Sequence, residues 1–268
     1  MANDVLRTIL ANRTVVTESG IERPLHSSVS EDEGEFLQSI IREHKPKCSL
    51  EIGCAYGISS LYICEALREA VSSPKHIIID PAQFLPLHRF GEPGSGYEGI
   101  GLLNLERAGY EDIIEFHNKV SHECLPVLLK NGLKVDFAFV DGQHTFDYVM
   151  VDFFFIDKLL SVGGIVVFDD ALYASIRKVC RYVLTNMRYS VVGPLSSKNV
   201  SRRRRFIERI ASAAPEGLSK FVNTDYLVLD ETLGFPRARP YVALRKEADD
   251  LIGLGPNTTR IWDTHNPF

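Results

Sequence analysis

The stretch Leu50-Glu51-Ile52-Gly53-Cys54-Ala55-Tyr56-Gly57-Ile58-Ser59 decides the fold of this chain. It begins as a short apolar strand, and Gly53 and Gly57 then bracket a turn into a helix predicted over residues 59–70. Glycine adopts positive φ without steric cost and lets a ligand approach the backbone closely. The start of the helix presents backbone amides that suit a carboxylate or a phosphate. The pattern indicates a ligand-binding turn, while the plainer alternative is that the two glycines only shape it.

Short apolar strands alternate with helical segments on both sides of this turn. Upstream, a helix is predicted with Ser30 as its N-cap and Glu33 completing a capping box. Six strands are predicted, at residues 49–52, 76–80, 113–116, 135–140, 163–168 and 189–192. Two further candidate strands lie at 226–229 and 241–244. The sequence leaves open which of the three late strands fill the last two positions of the sheet. This alternation predicts an α/β fold: a Rossmann-like sheet of seven mostly parallel strands, with helices on both faces and an antiparallel last strand.

The predicted organisation is one domain over residues 31–250, between an N-terminal extension (1–30) and a C-terminal tail (251–268). Residues 195–223 are interpreted as an insertion within the domain. It contains the basic run Arg202–Arg205, which is typical of a solvated helix start. The alternatives for this run are a contact with an acidic substrate or with a partner subunit, and a homo-oligomer is left open.

Composition narrows the class of protein. The 268 residues are 45% hydrophobic and 24% charged, which is typical of a globular protein. No stretch approaches the roughly 18 consecutive apolar residues of a membrane helix, and no secretory signal is evident. The five cysteines form no Cys-x-x-Cys pair, which disfavours a zinc site or a disulfide framework. This use of cysteine is typical of a reduced, cytoplasmic protein. The net charge of −5 disfavours a nucleic-acid partner, and we expect no membrane partner.

An acidic residue ends the strand that follows the glycine turn. Asp80 lies 23 residues beyond Gly57 (80 − 57), and an acid at this place commonly binds the two ribose hydroxyls of a nucleoside. A dinucleotide fold requires Gly-x-Gly-x-x-Gly, whereas this turn has Gly-x-x-x-Gly preceded by Glu51. The sequence therefore favours a nucleoside ligand other than NAD.

Three further acids follow two strands that are predicted to be neighbours. Asp141 ends one strand, and Asp169 with Asp170 ends the next. Carboxylates that converge without a basic partner have raised pKa values or bind a hard cation. Oxygen ligands favour Mg²⁺ over zinc. The alternative is that Asp169 and Asp170 only cap the following loop and helix.

A histidine lies close to these acids in the sequence. His144 follows Asp141 by three residues on the loop that leaves the strand. An imidazole at that place can accept a proton from a substrate hydroxyl. A lone histidine is, however, often only a surface or supporting residue, so the sequence leaves its role as a base open.

Together these motifs resemble one group of class I methyltransferases. The segments that carry the resemblance are Leu50–Ser59, Val140–Phe146 and Gly163–Asp170. The group includes the macrocin-type sugar O-methyltransferases and, more distantly, the catechol O-methyltransferases. The likeness covers roughly residues 30–190, and Tyr241–Lys246 resembles the last strand of the group.

The resemblance implies a role for each matching position. Glu51, Gly53, Gly57 and Ser59 would hold the methionine part of S-adenosylmethionine. Asp80 would bind its ribose, and Ser121 would lie near its adenine. Asp141, Asp169 and Asp170 would hold a divalent metal, for which we expect Mg²⁺, and Asp141 and His144 would be the catalytic residues. Catechol-type enzymes have Asn at the place of Asp170 and a lysine base, so this departure disfavours a simple catechol substrate.

The sequence thus predicts a metal-dependent O-methyltransferase that acts on a hydroxylated small molecule. A sugar, a phenol and a natural-product intermediate all remain candidate substrates. The similar group also includes a hydroxylase, so resemblance alone does not prove transfer to oxygen. Two alternatives stay open: an NAD-dependent oxidoreductase on a similar sheet, and a cofactor-binding protein without methyl transfer.

Overall fold

The structure is a computed structural model that describes residues 4–84, 96–193, 233 and 239–249. Several predictions lie outside these residues. They concern the insertion at 195–223 with Arg202–Arg205, the strand at 226–229, and the C-terminal tail at 251–268.

The described residues contain helices and strands at nearly all of the predicted places within them. The helices are α1 (Asp4–Asn12), α2 (Glu31–His44), α3 (Ile58–Ala70), α4 (Ile100–Arg107), α5 (Ser121–Lys130), α6 (Phe146–Leu159) and α7 (Ala174–Asn186). The strands are β1 (Thr14–Val16), β2 (Glu22–Pro24), β3 (Cys48–Ile52), β4 (Lys75–Ile79), β5 (Ile114–His117), β6 (Val135–Val140), β7 (Leu160–Phe168), β8 (Tyr189–Val192) and β9 (Val242–Lys246). No helix within the described ranges is long and apolar enough to cross a membrane.

The predicted α/β sheet is confirmed. In the described part of the chain, seven strands follow the order β5-β4-β3-β6-β7-β9-β8. The first five pair in parallel. β9 pairs antiparallel with both β7 and β8. This last strand therefore lies inside the sheet, between β7 and β8, which answers the question that the sequence left open.

Each face of the sheet carries its own hydrophobic core. Residues of α1 to α4 cover one face, and residues of α5, α6 and α7 cover the other. The N-terminal extension, for which the sequence predicted no regular element, contributes Leu6, Ile9 and Val15 to the first core. It forms α1 and the antiparallel hairpin β1–β2, so these residues pack as part of the same body.

A buried lysine fixes the antiparallel strand in place. The side chain of Lys246 in β9 is almost fully buried, and its Nζ donates to the carbonyl oxygens of Asp157 (2.6 Å) and Leu160 (3.1 Å). The Nζ also lies 3.7 Å from the Asp157 carboxylate, which accepts a hydrogen bond from the Tyr189 hydroxyl at 2.8 Å. The ammonium group therefore ties β9 to the junction of α6 and β7.

We expect Lys246→Met to lower the free energy of unfolding by about 2 kcal/mol, because it leaves the buried carbonyl oxygens of Asp157 and Leu160 without the donor that Lys246 supplies. Arg245→Met is the matched control, since Arg245 precedes it on the same strand and is exposed. That control should change stability by less than about 0.5 kcal/mol. Urea denaturation measures both values, and equal losses in the two variants would contradict the anchoring role of Lys246.

Candidate active site

The glycine turn packs tightly against neighbouring backbone. Gly53 has φ +89°, and a Cβ there would lie 2.1 Å from the carbonyl oxygen of Asp141. Gly57 has φ +79°, and a Cβ there would lie 2.8 Å from the carbonyl oxygen of Gly101. Both positions therefore require glycine, for the backbone conformation and for the close approach. The turn is held directly beside the carboxyl end of β6.

Glu51 and Ser59 contact each other beneath this turn. The carboxylate of Glu51 is fully buried and accepts hydrogen bonds from the hydroxyls of Ser59 and Ser60. His76 Nε2 lies 2.9 Å from the same carboxylate. These bonds join β3 to the first turn of α3. They give Glu51 and Ser59 a structural role, and their predicted contact with a methionine moiety stays a prediction.

Asp80 holds the turn from the neighbouring strand. Its carboxylate accepts hydrogen bonds from the backbone amides of Cys54 and Ala55, each at 3.0 Å, and of Ala82 at 2.7 Å. Two of the amides that the turn offers are therefore already bound within the protein. The acid lies at the predicted place beside the turn, and its predicted bond to ribose stays a prediction.

Ser121 is the first residue of α5, and it is buried. Its side chain hydrogen-bonds to Asp152 of α6, a residue that the sequence analysis did not single out. Burial raises the pKa of Asp152 to about 6, and the bond from Ser121 opposes that rise. The structure thus places Ser121 in a polar contact between α5 and α6, while its predicted proximity to adenine stays a prediction.

The three predicted aspartates come together at one edge of the sheet. Asp141 follows β6, and Asp169 and Asp170 follow the directly paired strand β7. Burial raises the pKa of Asp141 to about 7, against the opposing effect of a hydrogen bond from His144. Burial also raises the pKa of Asp170, with a further rise from the charge of Asp169. The three aspartates therefore lie at the same edge of the sheet, and their predicted binding of a metal stays a prediction.

His144 lies between two of these acids. Its Nε2 is 3.4 Å from Oδ1 of Asp141, and its Nδ1 is 3.3 Å from Oδ2 of Asp170. The ring stacks on Tyr173 with 5.7 Å between centroids, and about a third of the side chain is exposed. The bond to Asp141 raises the pKa of the imidazole. The structure therefore places a basic imidazole at the acidic edge.

A fourth acid reaches the same edge from helix α2. Glu33 is 2% exposed, and its carboxyl forms a side-chain hydrogen bond with Asp169. Burial and the charges of Asp169, Asp141 and Asp170 raise the pKa of Glu33 to about 10. The predicted capping box is therefore only half formed. Ser30 accepts from the amide of Glu33 at 3.3 Å, but the Glu33 side chain faces Asp169 because it lies on the buried side of the helix.

The donor set at this edge suits a hard cation, because all four acids offer oxygen atoms. Oε1 of Glu33 is buried and finds no hydrogen-bond partner among the described residues, which is the unsatisfied state that a cation would relieve. Across those same residues, no group of three or more acidic, histidine or cysteine side chains is arranged to hold a metal ion as it stands. The chemistry of the residues fits a cation, because every one of the four side chains ends in oxygen donors.

The chain matches the family model of a methyltransferase domain over residues 50–171, which include both the glycine turn and the acidic edge. It is 31% identical over 153 residues to caffeoyl-CoA O-methyltransferase of Populus kitakamiensis, covering 54% of this chain and 56% of that protein. It is 34% identical over 147 residues to tapetum-specific methyltransferase 1 of Arabidopsis thaliana, covering 53% and 54%. Over this part of its length the chain is therefore similar to methyltransferases, and the relatives named above include an O-methyltransferase.

Solved structures agree with the fold of this chain. An O-methyltransferase from Bacillus cereus in complex with SAH aligns with a TM-score of 0.53 at 20% identity, covering 70% of this chain and 82% of that one. TomG from Streptomyces achromogenes, an O-methyltransferase involved in tomaymycin synthesis, aligns with a TM-score of 0.50 at 22% identity, covering 64% and 77%. The matched part of the chain spans little more than half the length of the two curated relatives named above.

We expect Gly53→Ala to weaken binding of S-adenosylmethionine to the protein by at least about tenfold, because the new Cβ would displace the turn from the Asp141 backbone. Gly132→Ala is the matched control, since Gly132 also has positive φ (+75°) but a Cβ there meets nothing within 4 Å. Gly53→Ala should also be about 2 kcal/mol less stable than the control. Calorimetric titration and urea denaturation test both points, and two indistinguishable variants would refute the role of the close approach.

Proposed function

We propose that this protein transfers the methyl group of S-adenosylmethionine to a hydroxyl oxygen of a small molecule with the help of a divalent cation. One observation carries the proposal: the glycine turn stands directly beside an edge where His144 contacts Asp141 and Asp170. A turn of this kind suits the cofactor. An imidazole among carboxylates suits activation of a hydroxyl group.

Asp141, Asp169 and Asp170 would hold the cation, for which Mg²⁺ is the best match to an all-oxygen donor set. The chemistry that such a cation supplies is Lewis acidity, which lowers the pKa of a hydroxyl group and orients it. The closeness of these carboxyls supports this assignment, because acidic groups brought together favour a counter-charge.

His144 is the proposed general base. Its two contacts with Asp141 and Asp170 are long for hydrogen bonds, so a ring nitrogen can be released to accept the proton of the acceptor hydroxyl. The raised pKa of the imidazole makes it a stronger base. The hydroxyl oxygen then attacks the sulfonium methyl, the carbon–sulfur bond breaks, and the bond electrons stay on sulfur. Orientation of the two reactants supplies much of the rate in such a direct displacement.

The acceptor is proposed only as a class. The curated relatives include enzymes named for caffeoyl-CoA, and TomG is an O-methyltransferase involved in tomaymycin synthesis. For this chain we propose a hydroxylated small molecule, either a sugar, a phenol or a natural-product intermediate. The acid at Asp170 argues against a simple catechol, because the catechol-type pattern has an amide there.

We expect removal of divalent cations with EDTA to abolish methyl transfer, and added Mg²⁺ to restore it. Asp169→Asn should lower kcat by at least about 100-fold, because it removes a charged cation ligand. Its affinity for S-adenosylmethionine should stay within about threefold of the wild type. Transfer of a labelled methyl group to a panel of sugar and phenolic acceptors, caffeoyl-CoA included, gives the rates.

Asp112→Asn is the control for this experiment, because Asp112 is exposed near the start of β5, at the opposite edge of the sheet. It should leave both the rate and the cofactor affinity unchanged. Calorimetric titration with NAD, run in parallel, tests the oxidoreductase alternative, and binding of NAD alone would refute the proposal. Cofactor binding without any methyl transfer would instead support a binding protein.

We expect His144→Gln to lower kcat by about 100-fold or more, while the Kd for S-adenosylmethionine changes little. Glutamine can keep a hydrogen bond to Asp141 but cannot accept the proton. The rate at saturating Mg²⁺ and cofactor is the measurement. A kcat equal to that of the wild type would reduce His144 to a residue that only orients Asp141 and Asp170.

A further inference from the structure

Glu33 is buried in a way that the fold alone does not require. It lies in the first turn of α2, where Glu31 and Asp32 are exposed to solvent. Glu33 instead turns inward, is 2% exposed, and leaves its Oε1 without a hydrogen-bond partner among the described residues. A buried carboxyl oxygen in this state costs on the order of 1 to 3 kcal/mol.

Helix α2 is held so that Glu33 stays at the acidic edge. Gly34 brings the helix so close to α3 that a Cβ would lie 2.2 Å from the ring of Tyr62. One turn further on, Gln38 Nε2 donates to the Glu65 carboxylate at 2.6 Å. Rotation of α2 about its axis would break both contacts, so packing fixes the direction in which Glu33 points.

The neighbours of Glu33 are other acids. Its carboxyl bonds to Asp169, and Asp141 and Asp170 act on it electrostatically. A purely structural acid has donors around it, as Glu51 has Ser59, Ser60 and His76. Glu33 faces carboxyl groups, and one of its oxygens is left unsatisfied. The surroundings fit a group that shares a positive ion with its neighbours.

We propose that Glu33 supplies a fourth carboxylate to the divalent-cation site and thereby ties helix α2 to the carboxyl ends of β6 and β7. The inference rests on the proposed function, because it presupposes a cation at Asp141, Asp169 and Asp170.

The test is direct binding of Mn²⁺ to the full chain, followed by the loss of the electron paramagnetic resonance signal of the free ion. Glu33→Gln keeps the size of the side chain and removes its charge, and it should weaken Mn²⁺ binding by about tenfold or more. The control is Glu31→Gln, which makes the same change at an exposed residue in the first turn of the same helix. It should leave the affinity for Mn²⁺ within twofold of the wild type.

Thermal unfolding of the metal-free protein separates ligation from a structural role. We expect metal-free Glu33→Gln to melt at or above the temperature of the wild type, because it removes one acid from a crowded group of acids. The rise in melting temperature on adding Mn²⁺ should be smaller than in the wild type. A lower melting temperature without metal would show that Glu33 acts through packing, and this would overturn the inference.

Two other results also decide the matter. If the wild type binds Mn²⁺ and Glu33→Gln binds it equally well, the inference is wrong while the proposed cation site stands. If the wild type binds no Mn²⁺, with or without S-adenosylmethionine, both the cation dependence and the role of Glu33 are refuted.

Discussion

The position of β6 between β3 and β7 is the constraint on which the candidate site depends. Parallel pairing in register brings the carboxyl ends of all three strands to one edge of the sheet. The turn after β3 and the acids after β6 and β7 are therefore neighbours, although up to 117 residues separate them along the chain (170 − 53). The approach is close enough that only glycine fits at position 53, against the carbonyl of Asp141. A shift of β6 would therefore change the distance between the glycine turn and the acidic edge.

Two buried glutamates near this edge differ in how their carboxyl groups are hydrogen-bonded. Glu51 has no exposed surface, and three donors satisfy its carboxylate. Glu33 is nearly as buried, yet it faces other acids and keeps one oxygen unsatisfied. A satisfied buried charge stabilises the arrangement around it, whereas an unsatisfied one costs stability. The first pattern explains how β3 is joined to α3, and the second marks a place where the protein retains an unfavourable group.

Much of the fold could be predicted from the sequence because the sheet strands are short apolar runs between clear turns. β6 was predicted with its observed limits, and Asp141 and Asp169 were predicted on neighbouring strands. The hairpin β1–β2 was missed because each of its strands is only three residues long, which is too short for a periodic signal. β7 begins at Leu160 rather than at residue 163 because α6 leads into it without a turn. The place of β9 depends on long-range contacts such as those of Lys246, which no local pattern encodes.

The site residues that directly follow strands could be predicted from the sequence. The site residue on a helix could not. Asp80, Asp141, Asp169 and Asp170 each come directly at the end of an apolar run, so topology alone brings them to one edge. Glu33 follows an N-cap serine by three residues, and this spacing predicts a capping partner equally well. Its actual direction is set by Gly34 against Tyr62, a contact between two helices that only the folded chain reveals. Packing of α2 on α3 therefore overrides the repulsion between Glu33 and the aspartates, and the tight helix pair is what lets an otherwise unfavourable acid persist beside the proposed reaction centre.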